Sequence, residues 1–333
     1  MTTIAVIGTG TVGRRVARHL TMSPGVERLV LGGRRPAQLR SMVEQFEIDV
    51  TVVEPGPIPE ADVVVLSLPA GGHAGLAEEA VARGAHVVST SDAIADVQAL
   101  LELDETASKA GRTVVVGAAF SPGVSCLLAR HGAALFDSVE EVHVSRAATG
   151  GPACARQLHR ARTALSIDWW GDGWRRRPGG TGRELVWFPD PMGARDCYRA
   201  GLSDALLLAP EFPTVDRITA RIAATRRDRL TAVFPMFRPP HADGGPGALR
   251  VELRGVRGSA RHTEVFGVMD HPSAGAAAMA TVAALRVARD GLDPGAWGLA
   301  RIDDPVPWLT DLAQRGVRAA VYTGADDSQT TTS

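Results

Sequence analysis

Three closely spaced glycines stand near the start of the chain, between a strand pattern and a helix pattern. Residues 4–7 are apolar and mostly β-branched, whereas residues 14–20 are amphipathic. In such a turn the first glycine permits the tight bend, the second lets the backbone approach a pyrophosphate, and the third lets helix and strand pack closely. Free N–H groups at the helix start would face the anion, so we predict a dinucleotide-binding turn, with a glycine-rich surface turn as the alternative. The predicted contacts are Gly8, Thr9, Gly10, Thr11, Val12 and Gly13.

The second strand indicates which dinucleotide is preferred. Residues 28–31 predict this strand, and a carboxylate that binds a free ribose 2′-hydroxyl is expected about twenty residues beyond the glycine turn. The chain has two glycines followed by Arg34 and Arg35 at that place, and no acid. Two guanidiniums can form forked bonds to a phosphate, so the sequence favours NADP over NAD. The alternative is that both arginines are solvated loop residues.

Two side chains that follow predicted strands are candidates for proton transfer. A hydride that moves to an imine or carbonyl carbon must be matched by a proton, and imidazole has a suitable pKa. His73 follows the fourth apolar strand and Asp92 follows the fifth, so we predict that both are catalytic. The alternative for each is a cap on the helix that begins near residue 75 or near residue 93.

The loop after the sixth strand is the most specific of the strand-end loops. Small residues are followed by Ser121, Pro122 and Gly123, and then by the helical run 124–134. Exposed N–H groups and hydroxyls at such a helix start bind a carboxylate or phosphate well. We predict that Ser121 is catalytic and that Gly123 and Ser125 bind a substrate acid group. The alternative is that Ser121 only caps the helix.

Further contacts are predicted from the same edge of the sheet and from arginines beyond residue 140. The carboxyl ends of parallel strands meet at one edge, where ligands bind, and a guanidinium can hold an acid group through two bonds. The predicted cofactor contacts are Ser67, Leu68, Pro69, Thr90 and Ser91. The predicted substrate contacts are Arg146 and Arg156, with Arg160 and Arg199 as further candidates.

Length and composition set the outer bounds. A chain of 333 residues has room for two domains, since a single core seldom grows past about 250–300 residues. The net charge of −1 and the 45% hydrophobic content suggest neither disorder nor a sequence-independent grip on nucleic acid. No basic segment precedes the glycine turn, and the longest apolar window, 274–285, is too short to span a bilayer. We therefore predict a soluble cytoplasmic protein that acts on a small molecule.

The cysteines and the lysine restrict the chemistry. The three cysteines, Cys126, Cys154 and Cys197, lie far apart and show no metal-ligand pairing, so we predict free or buried thiols and no metal. Lys109 is the only lysine. A mechanism that requires a lysine would have to use it, in a segment typical of a solvated helix end.

The strand patterns predict an α/β fold with two styles of sheet. Up to about residue 123, near-continuous apolar strands, the last at 113–116, alternate with helical segments such as 93–110. This pattern indicates a Rossmann doubly wound parallel sheet covered on both faces. After about residue 137 the strands alternate polar and apolar residues, which indicates a second α+β domain on a mostly antiparallel sheet. The predicted parts are a dinucleotide-binding domain (1–123), a substrate and dimerisation domain (124–270), a segment that returns to the first domain (271–325) and a disordered tail (326–333).

A tryptophan-rich loop is predicted at residues 169–174, followed by three arginines. It could form a lid or a pocket wall, or a dimer contact, because Trp and Arg are enriched at protein interfaces. An open antiparallel sheet with such a periphery is a natural symmetric interface. We therefore expect a homodimer.

Several of these motifs together resemble saccharopine dehydrogenase-like reductases. The similarity is carried by the glycine turn, by residues 62–69 with His73, by residues 84–91 and by the helix start at Pro122-Gly123, in matching order and spacing. It is looser beyond about residue 130. The resemblance implies hydride transfer with NADP or NAD, with the second domain supplying substrate contacts and a dimer surface.

The chain departs from the family at two positions. Members that act on saccharopine-type substrates carry an acid before the Pro-Gly and a tyrosine after the serine of the fifth-strand loop, where this chain has Ser121 and Asp92. The expectation is an NADP-dependent oxidoreductase for a small imine, amino-acid-like or carbonyl substrate. The alternatives are a trans-acting enoyl reductase for a carrier-bound acyl chain, and a non-catalytic NADP-binding sensor or partner protein.

Overall fold

The computed structural model describes residues 2–44, 46–236 and 239–321. Strands and helices alternate in the first part of the chain, in the order β1 (Thr2–Ile7), α1 (Thr11–Thr21), β2 (Val26–Gly32), α2 (Pro36–Val43), β3 (Asp49–Val53), β4 (Val63–Leu66), α3 (His73–Ala82), β5 (His86–Ser89), α4 (Ile94–Leu101), α5 (Asp104–Lys109) and β6 (Thr113–Val116). The following elements are α6 (Val124–Ala133), β7 (Ser138–Ala147), α7 (Pro152–Ala161), β8 (Ser166–Trp170), β9 (Gly173–Arg177), β10 (Glu184–Phe188), β11 (Gly193–Arg199), α8 (Asp204–Leu208), β12 (Arg217–Ala223) and α9 (Arg226–Thr231). The described part ends with β13 (Gly247–Arg257), β14 (Ala260–Asp270), α10 (Pro272–Arg289), β15 (Gly295–Gly298), α11 (Val306–Gln314) and β16 (Ala319–Val321).

The first sheet is parallel throughout. Its described strands lie in the order β15-β6-β5-β4-β1-β2-β3, and each neighbouring pair is parallel. The side chains of β4 are fully buried, as expected for a strand with helices on both faces of its sheet. The predicted doubly wound parallel sheet is confirmed.

The order of the strands reverses between β1 and β4, which pair in register from Ile4 with Val63 to Ile7 with Leu66. From this pair, β2 and β3 extend the sheet to one side, whereas β5 and β6 extend it to the other. The connections after β1 and β4 therefore leave the sheet in different directions and open a crevice at the carboxyl ends of the strands. This crevice positions the candidate site.

The second sheet is mostly antiparallel, as predicted. Its described strands follow the order β10-β11-β12-β7-β13-β14-β16, with the β8–β9 hairpin attached to β12, and the β7–β12 pair is parallel. On β13, Leu249, Val251 and Leu253 are buried, on the side against which α6 packs. The intervening Glu252 forms ion pairs with Arg250 and with Arg254.

The last described elements connect both sheets. Helix α10 packs against α1, β4 and β5, and β15 extends the first sheet beside β6. In contrast, β16 pairs with β14 of the second sheet. The division at residues 123 and 270 stays a prediction, and the predicted disordered tail, 326–333, lies outside the described residues.

Two local expectations differ from the structure. The helical run predicted at 93–110 is divided into two helices, α4 and α5. The second helix begins at Asp104, whose side chain accepts a hydrogen bond from the Ala296 N–H of β15 at 2.9 Å. The tryptophan-rich loop is a β-hairpin, in which Trp169 and Trp174 pair across the strands with ring centroids 5.1 Å apart. Cross-strand aromatic pairs stabilise such hairpins.

No helix in the described ranges is long and apolar enough to cross a membrane.

Candidate active site

The glycine turn after β1 has the geometry of a phosphate-binding turn. Gly8 has a φ of 97°, and a Cβ there would collide with the carbonyl of Ser67. A Cβ on Gly13 would collide with the carbonyl of Gly8, so the third glycine lets α1 pack against the turn. Gly10 is different, because no atom of the described residues lies within 4 Å of a Cβ at that position. The backbone of Gly10 therefore faces open space that a ligand can approach.

Helix α1 begins at this turn with N–H groups that have no acceptor within the helix. Its first backbone hydrogen bond runs from the Arg14 N–H to the Gly10 carbonyl at 3.1 Å. The N–H groups of residues 11–13 precede this bond, and a helix N-terminus attracts anions through such groups and through its dipole. The Thr11 hydroxyl donates to the carbonyl of Ala242 at 2.8 Å, which ties the turn to the connection before β13.

Arg34 and Arg35 follow β2 and lie at the edge of the same crevice. Both side chains are exposed, and neither guanidinium forms an ion pair within the described residues. Glu54, after β3, also lines the crevice, but its carboxylate lies 3.7 Å from the guanidinium of Arg40. The two arginines are therefore available to bind a phosphate through charge-assisted hydrogen bonds.

A cleft of about 820 Å³ joins these elements to the second domain. The predicted site residues that line it are Gly8, Thr9, Gly10, Thr11, Val12, Arg34, Arg35, Ser67, Leu68, Pro69, Thr90, Ser91, Asp92, Ser121, Arg146 and Arg156. The predicted residues that lie outside its wall are Gly13, His73, Gly123 and Ser125. The structure thus brings most of the predicted residues to one cleft, while their individual roles stay predictions.

An ion pair in the cleft wall connects the first sheet with the second. Nη2 of Arg146, from β7, lies 3.1 Å from Oδ2 of Asp92, from the loop after β5. Nη1 of Arg146 donates to the carbonyl of Ser121 at 2.6 Å. Nearby carboxylates, chiefly Asp92, raise the pKa of Arg146 although burial opposes this. Asp92 does not cap α4, whose N-cap residue is Ala93, and it presents a carboxylate to the cleft.

The predicted anion site at the start of α6 is not formed as expected. Gly123, with a φ of 123°, precedes the helix, and the Val124 N–H donates to the carbonyl of Ala119 rather than to the cleft. The hydroxyls of Ser121 and Ser125 both donate to Oδ1 of Asp204 at 2.7 Å. Ser121 therefore does not cap the helix, because its hydroxyl is engaged by a buried carboxylate.

His73 links two strand-end loops below the cleft. The ring is fully buried, with Nδ1 2.9 Å from the Ser89 hydroxyl and Nε2 3.3 Å from the Leu68 carbonyl. Burial lowers the pKa of His73, which favours the neutral ring. It is the first residue of α3 and follows Gly72, the N-cap. At this position His73 holds the two strand-end loops together. Its ring does not line the cleft, so the predicted proton transfer to a substrate would require the side chain to move into the cleft.

The cysteines offer no reactive thiolate. Cys154 lines the cleft, but burial raises the pKa of its thiol to about 11. Cys126 and Cys197 are fully buried, and burial raises the pKa of each to about 12. Across the described ranges, no cluster of three or more His, Cys, Asp or Glu side chains is placed to hold a metal ion.

Cys154 is expected to react slowly with iodoacetamide at neutral pH, because the thiolate is the nucleophile and a thiol with a pKa of about 11 supplies little of it. The rate should rise as the pH is increased toward that value. Mass spectrometry of the alkylated peptide measures the rate, with Cys197 as the unreactive internal control. Rapid alkylation of Cys154 at neutral pH would contradict the raised pKa of this thiol.

The arginines of the second domain divide into two groups. Arg146 and Arg156 line the cleft, whereas Arg160 and Arg199 do not. Arg160 donates to the side chain of Gln157 at 3.3 Å, and Nε of Arg199 lies 3.6 Å from Asp168. Arg146 and Arg156 are therefore the ones that can contact a molecule in the cleft.

Sequence reasoning missed Ser203 and Asp204. They contact the loops that carry Asp92 and Ser121, although more than 75 residues separate the partners along the chain. Their local signal is a helix start before the apolar run 205–208. That pattern predicts a capped helix and carries no information on distant partners.

Comparisons with known proteins agree with this arrangement. Residues 3–113 match the family model of the semialdehyde dehydrogenase NAD-binding domain. The fold is similar to apo saccharopine dehydrogenase (L-Glu forming) from Saccharomyces cerevisiae, with a TM-score of 0.73 and 13% identity over 97% of this chain and 100% of that chain. It is also similar to C. glutamicum DAP dehydrogenase in complex with DAP (TM-score 0.56, 17% identity, 94% and 98% covered). An engineered D-amino acid dehydrogenase bound to NADP+ is a further match, with a TM-score of 0.54 and 17% identity over 94% of this chain and 99% of that chain.

The matched family model covers the first sheet up to the start of β6, including the glycine turn and Arg34 and Arg35. The structural matches extend over both sheets and confirm the expected resemblance at the level of the fold. Residues 3–113 thus match the model of an NAD-binding domain, and the chain as a whole shares its fold with saccharopine dehydrogenase.

Proposed function

We propose that the protein is an NADP-dependent oxidoreductase for a small imine, amino-acid-like or carbonyl substrate that carries an acid group. The single observation that carries the proposal is the Asp92–Arg146 ion pair, 3.1 Å apart, in the same cleft as the glycine turn. It combines a group that can bind an anion with a group that can exchange a proton. The similar proteins include dehydrogenases of saccharopine, DAP and D-amino acids, which supports a substrate of this class.

The residues of the first domain fit a dinucleotide with a 2′-phosphate. Gly10 leaves its surroundings open, the first N–H groups of α1 have no helical acceptor, and Arg34 and Arg35 stand at the cleft edge. The pyrophosphate would contact the backbone of Gly10 and the first N–H groups of α1. The 2′-phosphate would contact Arg34 and Arg35. When bound, the nicotinamide would supply or accept the hydride.

The residues of the second domain and of the strand-end loops would handle the substrate. The Arg146 guanidinium would bind the acid group of the substrate, with Arg156 contacting its outer part. The Asp92 carboxyl would give a proton to the nitrogen or oxygen next to the reacting carbon in reduction, and would take it back in oxidation. Apolar side chains such as Phe120 and Leu158 line the same cleft and exclude water.

The cysteine geometry favours direct hydride transfer over covalent catalysis. Oxidation of an aldehyde to an acyl product through an enzyme-bound intermediate requires an activated nucleophile. Cys154 is the thiol that lines the cleft, and burial raises its pKa to about 11. It is therefore poorly suited to attack a carbonyl at neutral pH.

The test is an NADPH oxidation assay with a panel of imines, 2-oxo acids with ammonia, and carbonyl compounds. Turnover of an acid-bearing imine or carbonyl compound at a rate that depends on Arg146 supports the proposal. Turnover only of a carrier-bound enoyl substrate would favour the enoyl reductase alternative. Tight NADPH binding without turnover of any panel member would favour a sensor or partner protein.

NADPH is expected to bind more tightly than NADH, and Arg34→Ala should reduce this preference by at least about tenfold, since a charge-assisted bond to a phosphate contributes about 1.5–3 kcal/mol. The nicotinamide fluorescence titration that measures both dissociation constants should show an unchanged NADH affinity. Arg28→Ala is the matched control, because Arg28 is an exposed arginine of β2 that pairs with Asp49, and neither residue lines the cleft. Equal or tighter binding of NADH by the unmodified protein would contradict this assignment.

We further propose a homodimer in the cytoplasm. The second sheet ends at β10, where Leu185 is 57% exposed and Trp187 is 61% exposed, and a symmetric partner would cover such an edge. The cysteines are free thiols, which suits a reducing compartment. We expect twice the chain mass in light scattering at micromolar concentration and a monomer for Trp187→Glu; a monomeric unmodified protein would contradict this.

A further inference from the structure

Asp204, the first residue of α8, is a buried aspartate behind the cleft wall. It has no exposed surface, and Oδ1 accepts hydrogen bonds from Ser121 and Ser125, each at 2.7 Å. Oδ2 has no hydrogen-bond partner among the described residues. A buried carboxylate with a free oxygen destabilises a fold. Its position therefore points to a role other than stability.

Asp204 and its neighbour Ser203 contact the loop that carries Asp92 and the loop whose Ser121 binds Arg146. The hydroxyl of Ser121 donates to Asp204, while the carbonyl of the same serine accepts from Nη1 of Arg146 at 2.6 Å. The Ser203 hydroxyl donates to the backbone carbonyl of Asp92 at 3.0 Å. Asp92 is thus bonded directly to Ser203, and Arg146 is linked to Asp204 through Ser121.

We propose that Asp204 is a positioning residue for the cleft: through Ser121 it holds the Arg146 guanidinium, while Ser203 holds Asp92, so that the pair is oriented toward an acid-bearing substrate. The substrate step of this proposal rests on the proposed function. The positioning itself is a property of the hydrogen bonds and is independent of turnover.

The charges around Asp204 give this role a distinct signature in stability. Burial raises the pKa of Asp204, and the Asp92 charge acts in the same direction, while Arg146 and the two serine hydroxyls lower it. From α6, the Cys126 thiol faces the same carboxyl, and its own pKa is raised to about 12 by burial and by Asp204. A carboxyl whose pKa is raised on folding adds to the free energy of unfolding at low pH. This contribution is lost as the pH rises through the pKa of the folded state. At neutral pH, removal of this charge should therefore not destabilise the fold.

The test compares Asp204→Asn with Asp168→Asn. Asparagine retains the shape, but it removes the negative charge that acts on Arg146 and weakens the charge-assisted hydrogen bond from Ser121 through which Asp204 holds that guanidinium. We expect a Tm equal to or above that of the unmodified protein, unchanged NADPH affinity, and kcat/KM lower by about a hundredfold, since misplacement of a positioned group by about 1 Å costs that much. Asp168 is an equally buried aspartate that pairs with Arg199 outside the cleft. Its asparagine variant should retain kcat and KM.

A purely structural role predicts the opposite pattern, namely a lower Tm for Asp204→Asn with unchanged kcat and KM, and this result would overturn the proposal. If the asparagine variant does not fold, Ser121→Ala removes the hydroxyl that links Asp204 to the loop holding Arg146, and it should lower kcat/KM in the same direction; unchanged kinetics would again overturn the proposal. If the unmodified protein turns over no substrate, the proposed function fails. The positioning is then decided by a crystal structure of Asp204→Ala, in which an Arg146–Asp92 separation beyond about 4 Å supports it and an intact ion pair overturns it.

Discussion

Replacing Asp92 by asparagine is expected to lower kcat for the preferred imine or carbonyl substrate by about 100- to 10,000-fold, the contribution typical of a positioned acid or base. Asparagine can still accept a hydrogen bond from Arg146, so the cleft wall should keep its shape, but the amide cannot give or take the proton. NADPH affinity should stay unchanged, because the predicted contacts with the nucleotide lie mainly at the glycine turn and at Arg34 and Arg35. Steady-state kinetics and fluorescence titration measure the two quantities.

The matched control is Asp172→Asn. Asp172 belongs to an aspartate–arginine pair with Arg175, 2.6 Å apart, in the exposed turn between β8 and β9. Loss of this pair should change neither kcat nor KM, because exposed ion pairs contribute little. If Asp92→Asn retains kcat, Asp92 does not transfer the proton, and the mechanism proposed for the cleft is wrong.

Gly10→Val is expected to weaken NADPH binding by about a hundredfold or more, equivalent to at least about 2.7 kcal/mol, with little change in Tm. The backbone of Gly10 is extended and no atom lies within 4 Å of a Cβ there, so valine fits the fold. Its side chain would occupy the space into which the pyrophosphate must come. Fluorescence titration and thermal unfolding separate the two effects.

The control is the same substitution at Gly75, which lies in α3, has nothing within 4 Å of a Cβ and does not line the cleft. Gly75→Val should retain both NADPH affinity and Tm. Unchanged NADPH affinity of Gly10→Val would show that the pyrophosphate does not approach the glycine turn as proposed.

The first half of the fold could be predicted from sequence because its signals are local. The strand β6 was predicted at residues 113–116, where it lies, since a run of β-branched residues between a polar helix end and a small-residue loop has few other interpretations. The glycine turn likewise carries its geometry in consecutive residues. Rossmann and antiparallel sheets also leave different periodicities in their strands.

The contacts behind the cleft could not be predicted, because they depend on tertiary pairing. Ser121 satisfies the local rule for a helix cap, but a buried carboxylate more than 80 residues away accepts its hydroxyl. Asp92 likewise stands where a helix cap is expected, but Arg146 from the second sheet draws its carboxylate away. His73 has the residue type of a proton donor, whereas its burial follows from the packing of α3 under β4 and β5. Propensity and spacing carry no information on these partners.

In the proposed mechanism, one cleft binds NADP and places its reactive end beside the Asp92–Arg146 pair. A crystal structure of the protein with NADP+ tests this most directly. We expect the pyrophosphate at the N-terminus of α1, the 2′-phosphate bound by Arg34 or Arg35, and the nicotinamide in the part of the cleft lined by Asp92. An ordered NADP+ whose nicotinamide lies away from Asp92, or whose 2′-phosphate contacts neither arginine, would contradict the claim.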